Sequence, residues 1–242
     1  MQVEIWSDVF CPFCYIGKRN FERALEQFPH RDQVTITWKS FQLQPDAPVE
    51  SDLTSNERLA QKYGMTVEQA RQRQASVSQR AAEVGLVYDL ENAKVTNSFD
   101  AHRLTHLAKE HGLQDAAEER FFKAYFTETK HVGRRETLVE LGKEIGLPEE
   151  EIAAVLDSDR FATDVIADSQ EGVALGLQGV PFFVFDRRYA VAGAQPPEVF
   201  TQVLDQAWAE SKPVQLIAAA APADGCDDGS CAVPGLGTPS AQ

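Results

Sequence analysis

The chain has 242 residues, 43% of them apolar and 25% charged, proportions of an ordinary globular protein long enough to bury a large core. Its formal net charge of -14 argues against nucleic acid and anionic membrane as partners, since both would repel it. No run approaches the ~18 continuous apolar residues that a membrane span needs.

In chain order, residues 2–7 alternate apolar and polar side chains and predict a strand. The opening Met1-Gln2-Val3-Glu4-Ile5 carries no basic cluster, long apolar stretch or small-residue cleavage site, so a secretory leader is not expected and the cytoplasm is. Residues 13–28 follow with helical spacing, Ile16, Phe21, Leu25 and Phe28 falling near one face. Residues 33–41 alternate again, with Val34, Ile36 and Trp38 set against Thr35, Thr37 and Lys39. This is a βαβ unit, and its connection is long enough for a right-handed parallel crossover.

From residue 55 to 176 the pattern changes to helix formers without clear strands. Helices are predicted over 66–84, 100–111, 119–127, 135–145, 149–156 and from 159 toward 176. Alternation returns at 182–185 and 189–192 around the short polar turn Asp186-Arg187-Arg188, which signals a hairpin, and a last helix covers 197–210. After Lys212 the chain turns to Ala, Pro, Gly and Asp, the composition of a mobile tail. The fold class expected is α/β: a sheet-containing domain formed by residues 1–54 and 177–211, a large all-helical subdomain inserted at 55–176, and a tail at 212–242.

The chemistry sits where the first strand becomes the first helix, at Cys11-Pro12-Phe13-Cys14. A thiol in the first turn of a helix faces unsatisfied backbone N–H groups and the positive end of the helix dipole, and both favour the thiolate that attacks disulfides. Two intervening residues let Cys14 return over Cys11 within one turn, so Cys11 reads as the nucleophile and Cys14 as the resolving thiol. A zinc knuckle is the competing account. It wants four ligands, yet the next cysteines are Cys226 and Cys231 and no histidine falls within the first 29 residues.

The run Asp8-Val9-Phe10-Cys11-Pro12-Phe13-Cys14-Tyr15-Ile16-Gly17, together with Gly176-Leu177-Gln178-Gly179-Val180-Pro181-Phe182-Phe183, resembles the DsbA-like branch of the thioredoxin superfamily, the FrnE subgroup most closely. Asn97-Ser98-Phe99-Asp100-Ala101-His102-Arg103-Leu104 and Gly193-Ala194-Gln195-Pro196 echo the same pattern. The resemblance covers about residues 2–210. It implies a thioredoxin-like fold with a large inserted all-helical subdomain, a cis Val180-Pro181 bond beside Cys11, and Phe13, Val180 and Pro181 as substrate-binding residues, with Phe13 also helping to set the redox poise. It also implies protein-disulfide substrates, a small-thiol or thioredoxin-type electron donor, no organic cofactor and no metal. One departure stands out: thioredoxins carry a buried acid six residues before the first cysteine, and here that position is Ile5. Glu4 and Asp8 are possible substitutes, but a solvated strand end accounts for each as well, so neither receives a role.

Cys226 and Cys231 stand apart in the tail, where a disulfide would staple little beyond a turn, so an auxiliary or regulatory redox pair is the expectation, with metal capture and an inert pair as alternatives. Two other function classes remain open for the whole chain. One is the glutathione-dependent 2-hydroxychromene-2-carboxylate isomerases and kappa-class transferases, relatives on the same fold that use a serine where this chain has Cys11. The other is a thiol-based metal-binding or redox-sensing protein. His102, His106, His111 and His131 include an i, i+4 pair, but a helix face with satisfied histidines is favoured over a metal site. Arg71, Arg73 and Arg80 form a basic stripe, and a solvated helix face is favoured over anion binding.

Overall fold

A computed structural model describes residues 1–211, and residues 212–242 lie outside that description. The strand Gln2–Ser7 (β1) is buried over nearly its whole length, more than its alternating sequence suggests, because it runs through the middle of a four-stranded sheet. The helix Pro12–Gln27 (α1) carries the chain across to Thr35–Ser40 (β2), which pairs with β1 in parallel with Val3 opposite Ile36 and Ile5 opposite Trp38. On the other side of β1 lies Phe182–Phe185 (β3), antiparallel to it and hydrogen-bonded in turn to Tyr189–Ala192 (β4). The order across the sheet is β2-β1-β3-β4.

Between β2 and β3 the chain makes seven helices: α2 (Ser55–Tyr63), α3 (Val67–Glu83), α4 (Phe99–Glu110), α5 (Gln114–Phe126), α6 (Arg135–Glu144), α7 (Glu149–Leu156) and α8 (Ala162–Ala174). The helix Pro197–Glu210 (α9) closes the described fold. Two of these differ from the sequence expectation. α2 is absent from the predicted set, although Thr54 and Glu57 form a reciprocal capping box at its start. α5 begins at Gln114, five residues before the expected start, because its first turn lacks the bulky apolar residues that marked the rest.

That early turn has a purpose in the sheet. β2 is an edge strand, and the buried Gln114 amide accepts the Trp38 N–H at 3.0 Å while donating to the Trp38 carbonyl at 2.9 Å. Asp168 on α8 accepts the Ser40 N–H at 3.0 Å farther along the same edge. Side chains thus satisfy backbone groups that an unprotected edge would leave open.

α1 has apolar residues on two sides and separates two cores. Toward α9 and the sheet it contributes Phe21, Ala24 and Phe28, packed with Phe183, Phe185 and Phe200. Toward the helical block it contributes Cys11, Cys14, Tyr15 and Ile16, packed among Leu104, Phe121, Phe122 and Phe126. The Tyr15 ring stacks on Phe122 at a centroid distance of 5.0 Å. Among the described residues, no helix is long and apolar enough to cross a membrane.

Candidate active site

β1 ends at Ser7, and four residues later Cys11 occupies the N-cap of α1 with extended backbone (φ -89, ψ 109), followed by Pro12 in the first helical position. Proline suits that place because its missing N–H is one the first turn would leave unpaired anyway. The Cys11 N–H donates to the Asp8 carbonyl and the Cys14 N–H to the Cys11 carbonyl, each at 2.9 Å, which fixes both thiols in one turn. Tyr88 donates its hydroxyl to the Pro12 carbonyl at 2.8 Å and pins the intervening dipeptide. Burial, with charge at the nearby cysteines, raises the Tyr88 pKa, so the phenol remains a donor.

Both cysteines are free, with Cys11 4% exposed and Cys14 1%. Burial first, and the adjacent Cys11 sulfur second, push the Cys14 thiol well above its ordinary value, while the Asp8 backbone and the Ser7 hydroxyl pull the other way. Val180-Pro181 is cis, and the Cys11 Sγ lies 3.4 Å from the Val180 carbonyl oxygen. Gly17 allows this approach: a Cβ there would stand 3.0 Å from the Pro181 Cγ and 3.4 Å from the Phe183 ring. The structure therefore brings together Cys11, Cys14, Val180 and Pro181 from opposite ends of the chain. Phe13 joins them at the rim, under the Arg80 guanidinium at 5.0 Å. Cys226 and Cys231 lie outside the described residues.

A cavity of about 320 Å³ opens beside Cys11, with Phe10, Phe13, Val77, Tyr125 and Val180 in its walls. α2 and α3 contribute Arg58, Lys62 and Arg73 to its lining, besides Val77.

Behind the thiols lies a buried ionisable group of three. Asp8, only 1% exposed, accepts the Leu43 N–H at 2.7 Å through Oδ2 and the Phe10 N–H at 3.3 Å through Oδ1. The His102 Nε2 stands 3.5 Å from Asp8 Oδ1, an ion-pair distance rather than a hydrogen bond, and neither ring nitrogen has a hydrogen-bond partner among the described residues. Burial by itself lowers the His102 pKa, but the carboxylates of Asp8, Glu118 and Asp168 outweigh it and the net direction is upward. Burial pushes the Glu118 carboxyl up to about 7, against some opposition from His102.

These contacts correct two sequence expectations. Asp8 and Glu4 are not on a solvated strand end: both are buried, and Glu4 receives a two-pronged contact from Arg187 at 2.6 and 2.7 Å at the β3-β4 turn. The histidines are not uniformly satisfied, since His106 has Ser40 and Asp168 within 3.2 Å whereas His102 has only its charged neighbour. The basic stripe is exposed, as the solvated-face reading expects, with Arg71 paired to Glu68 and Glu91, Arg73 lining the cavity and Arg80 covering Phe13. The sequence signal for His102 was its place in the run 97–104; for Arg58 and Lys62 it was the capping box that begins their helix.

A family model of the DSBA-like thioredoxin domain matches residues 2–205. The chain belongs to the DsbA-like thioredoxin oxidoreductase family. It is 46% identical to a probable DsbA oxidoreductase from Streptomyces coelicolor, covering 97% of this chain and 100% of that one with a TM-score of 0.85. The cytosolic disulfide reductase DsbM from Pseudomonas aeruginosa, described with GSH, is 18% identical over 86% of this chain and all of its own, with a TM-score of 0.60. A 2-hydroxychromene-2-carboxylate isomerase shares the fold at 12% identity, covering 85% of this chain and 95% of its own, with a TM-score of 0.61.

Proposed function

We propose that this chain reduces and isomerises protein disulfides through Cys11 and Cys14. The carrying observation is their placement: Cys11 caps α1 beside the Val180 carbonyl at the edge of a cavity, and Cys14 lies buried beneath it. The Cys11 thiolate attacks one sulfur of a substrate disulfide, a Cys11–substrate S–S bond forms, and the other substrate sulfur leaves as a thiolate. Cys14 then gives up its proton, which the substrate thiolate released in the first step can take, and attacks the Cys11 Sγ. The mixed disulfide breaks, the second substrate thiolate leaves, and two electrons have passed from the dithiol to the substrate.

The order of events follows from what holds the Cys14 proton. Burial and the neighbouring Cys11 sulfur keep Cys14 a thiol in the reduced pair. Once Cys11 is bonded to substrate its charge is gone, and Cys14 ionises more readily at the step that needs it. When a second substrate thiol attacks the mixed disulfide instead, the substrate is rearranged with no net transfer of electrons. Val180 and Pro181 flank the bound chain, and Phe13 meets it at the rim.

A small thiol or a thioredoxin-type protein returns the pair to the dithiol, with no organic cofactor. DsbM, a cytosolic reductase described with GSH, supports both a small-thiol donor and a cytoplasmic setting. Cys226 and Cys231 would serve as an auxiliary exchange pair.

Dithiothreitol-driven reduction of insulin tests this assignment. The intact chain is expected to accelerate insulin precipitation, Cys11→Ser to abolish the effect, and Cys14→Ser to accumulate a mixed disulfide visible on a non-reducing gel. Retained catalysis in the Cys226→Ser/Cys231→Ser double variant is expected if the tail pair is auxiliary. An intact chain that leaves the insulin rate at its background value would overturn the assignment.

A further inference from the structure

Most Lys and Arg side chains among the described residues meet carboxylates, as Lys18 does with Asp115 and Glu119, or Arg120 with Glu128, while Arg23, Arg80, Lys94, Lys109 and Lys123 do not; what distinguishes the cavity is that three such unpaired cations share one lining. Arg58, Lys62 and Arg73 line the cavity and form no ion pair among the described residues. Arg58 binds a neutral partner, donating from Nε and Nη2 to Gln44 Oε1 at 2.8 and 2.6 Å. Lys62 and Arg73 both lie over the half-exposed Tyr63 ring, at 5.6 and 4.7 Å from its centroid. That ring gathers the two charges without neutralising them.

The one carboxylate among the lining residues is Asp8, which is buried with each of its oxygens accepting a backbone N–H. An anion in the cavity would therefore meet three uncompensated cations and no free acid. A net charge of -14 makes this local excess of positive charge all the more selective, because the remainder of the molecule repels the same ligand. The lining combines the aromatic and aliphatic side chains Phe10, Phe13, Val77 and Tyr125 with the cations that α2 and α3 contribute.

We infer that this cavity selects disulfides flanked by carboxylates, with the sulfurs at Cys11 and the acids on Arg58, Lys62 and Arg73. The inference rests on Cys11 being the attacking thiol. The chemistry is shared by two sources, a small dicarboxylate disulfide and an acidic segment of a protein bearing a disulfide. In either case the reduced Cys11-Cys14 pair supplies two electrons and becomes a disulfide, while the ligand's S–S bond breaks to give two thiols.

The experiment measures the rate at which pre-reduced full-length protein is oxidised in a single turnover, by acid quench and mass spectrometry. Probes are 3,3′-dithiodipropionate against the neutral bis(2-hydroxyethyl) disulfide, and a disulfide peptide with flanking Glu residues against the same peptide with Gln. A preference of about tenfold for the acidic member of at least one pair is expected, since three exposed ion pairs are each worth a few-fold. The source is the pair in which the preference appears.

In Arg58→Gln/Lys62→Gln/Arg73→Gln the ratio should collapse toward one, and Arg73→Lys should keep most of it. Lys109→Gln/Lys123→Gln removes two exposed cations outside the lining and should leave the ratio unchanged. Equal rates within both pairs for the wild type, or a ratio undiminished in the triple variant, would overturn the inference while leaving Cys11 as the nucleophile. Oxidation by none of the four probes would instead remove the underlying assignment of Cys11.

Discussion

Glu118 keeps its proton in the fold through a range where an unfolded chain has already released it. Its carboxyl is pushed from 4.5 up to about 7 by burial, so between those values the folded state holds one more proton than the unfolded state. Stability must fall as pH rises through that window. His102 acts in the same sense above its ordinary 6.5, because its raised folded pKa retains a proton that the unfolded imidazole gives up. Its stabilisation is complete below 6.5 and is lost as pH rises through the folded value. Glu118→Gln should flatten the dependence and leave the variant about 3 kcal/mol more stable than wild type near pH 8, at 1.36 kcal/mol per unit. Urea unfolding at about pH 5 and 8 measures this, and parallel curves for the two proteins would assign the dependence elsewhere. At this scale the sequence revealed Cys11 and Cys14 through their spacing and their place at a strand-helix junction. It offered Asp8 only as a possible substitute acid and did not single out Glu118, because an acidic side chain looks alike in sequence whether water or a packed helix surrounds it.

At the scale of elements, the strands and most helices were legible because hydrophobic periodicity reports which face is covered. α2 and the first turn of α5 were not, since each presents polar side chains whose partners are distant in sequence. The Gln114 amide is on α5 only because β2 needs its edge closed. α8 offers a sharper case of packing overriding local preference. Alanine at an exposed helix-interior glycine gains about 1 kcal/mol of propensity. At Gly172, however, a Cβ would sit 2.7 Å from Trp6 Nε1 and 2.8 Å from its Cδ1, a rigid ring whose N–H donates to the Asp168 carbonyl at 2.6 Å. Gly172→Ala should therefore destabilise the protein by about 1–3 kcal/mol through overpacking. Its melting temperature should drop by several degrees; a rise would mean that Trp6 moves freely and that propensity wins.

Across the whole described molecule, the helical block and the sheet are tied together through α1. Tyr15 belongs to one core and Phe21, a turn and a half later on the same helix, belongs to the other. Loosening either core must loosen the helix that serves both. Phe122→Ala in the helical block and Phe183→Ala in the sheet should each cost about 3–5 kcal/mol and lower one common transition. Thermal scans by far-ultraviolet and near-ultraviolet circular dichroism should coincide in both variants. Separate transitions would mean that the helical block folds as an independent unit. The sequence announced both sets of elements but not this sharing, which depends on two faces of α1 meeting partners from different parts of the chain.

α2 and α3 stand outside that arrangement. They pack chiefly against each other, burying only Asn56 and Ala60 on α2 and Ala70 and Ala81 on α3, and yet they line the cavity. Substitutions on this hairpin can redraw what enters the site at little thermodynamic risk to the scaffold. If the cavity receives substrate as proposed, its selectivity rests on two surface helices that the cores of the fold constrain little.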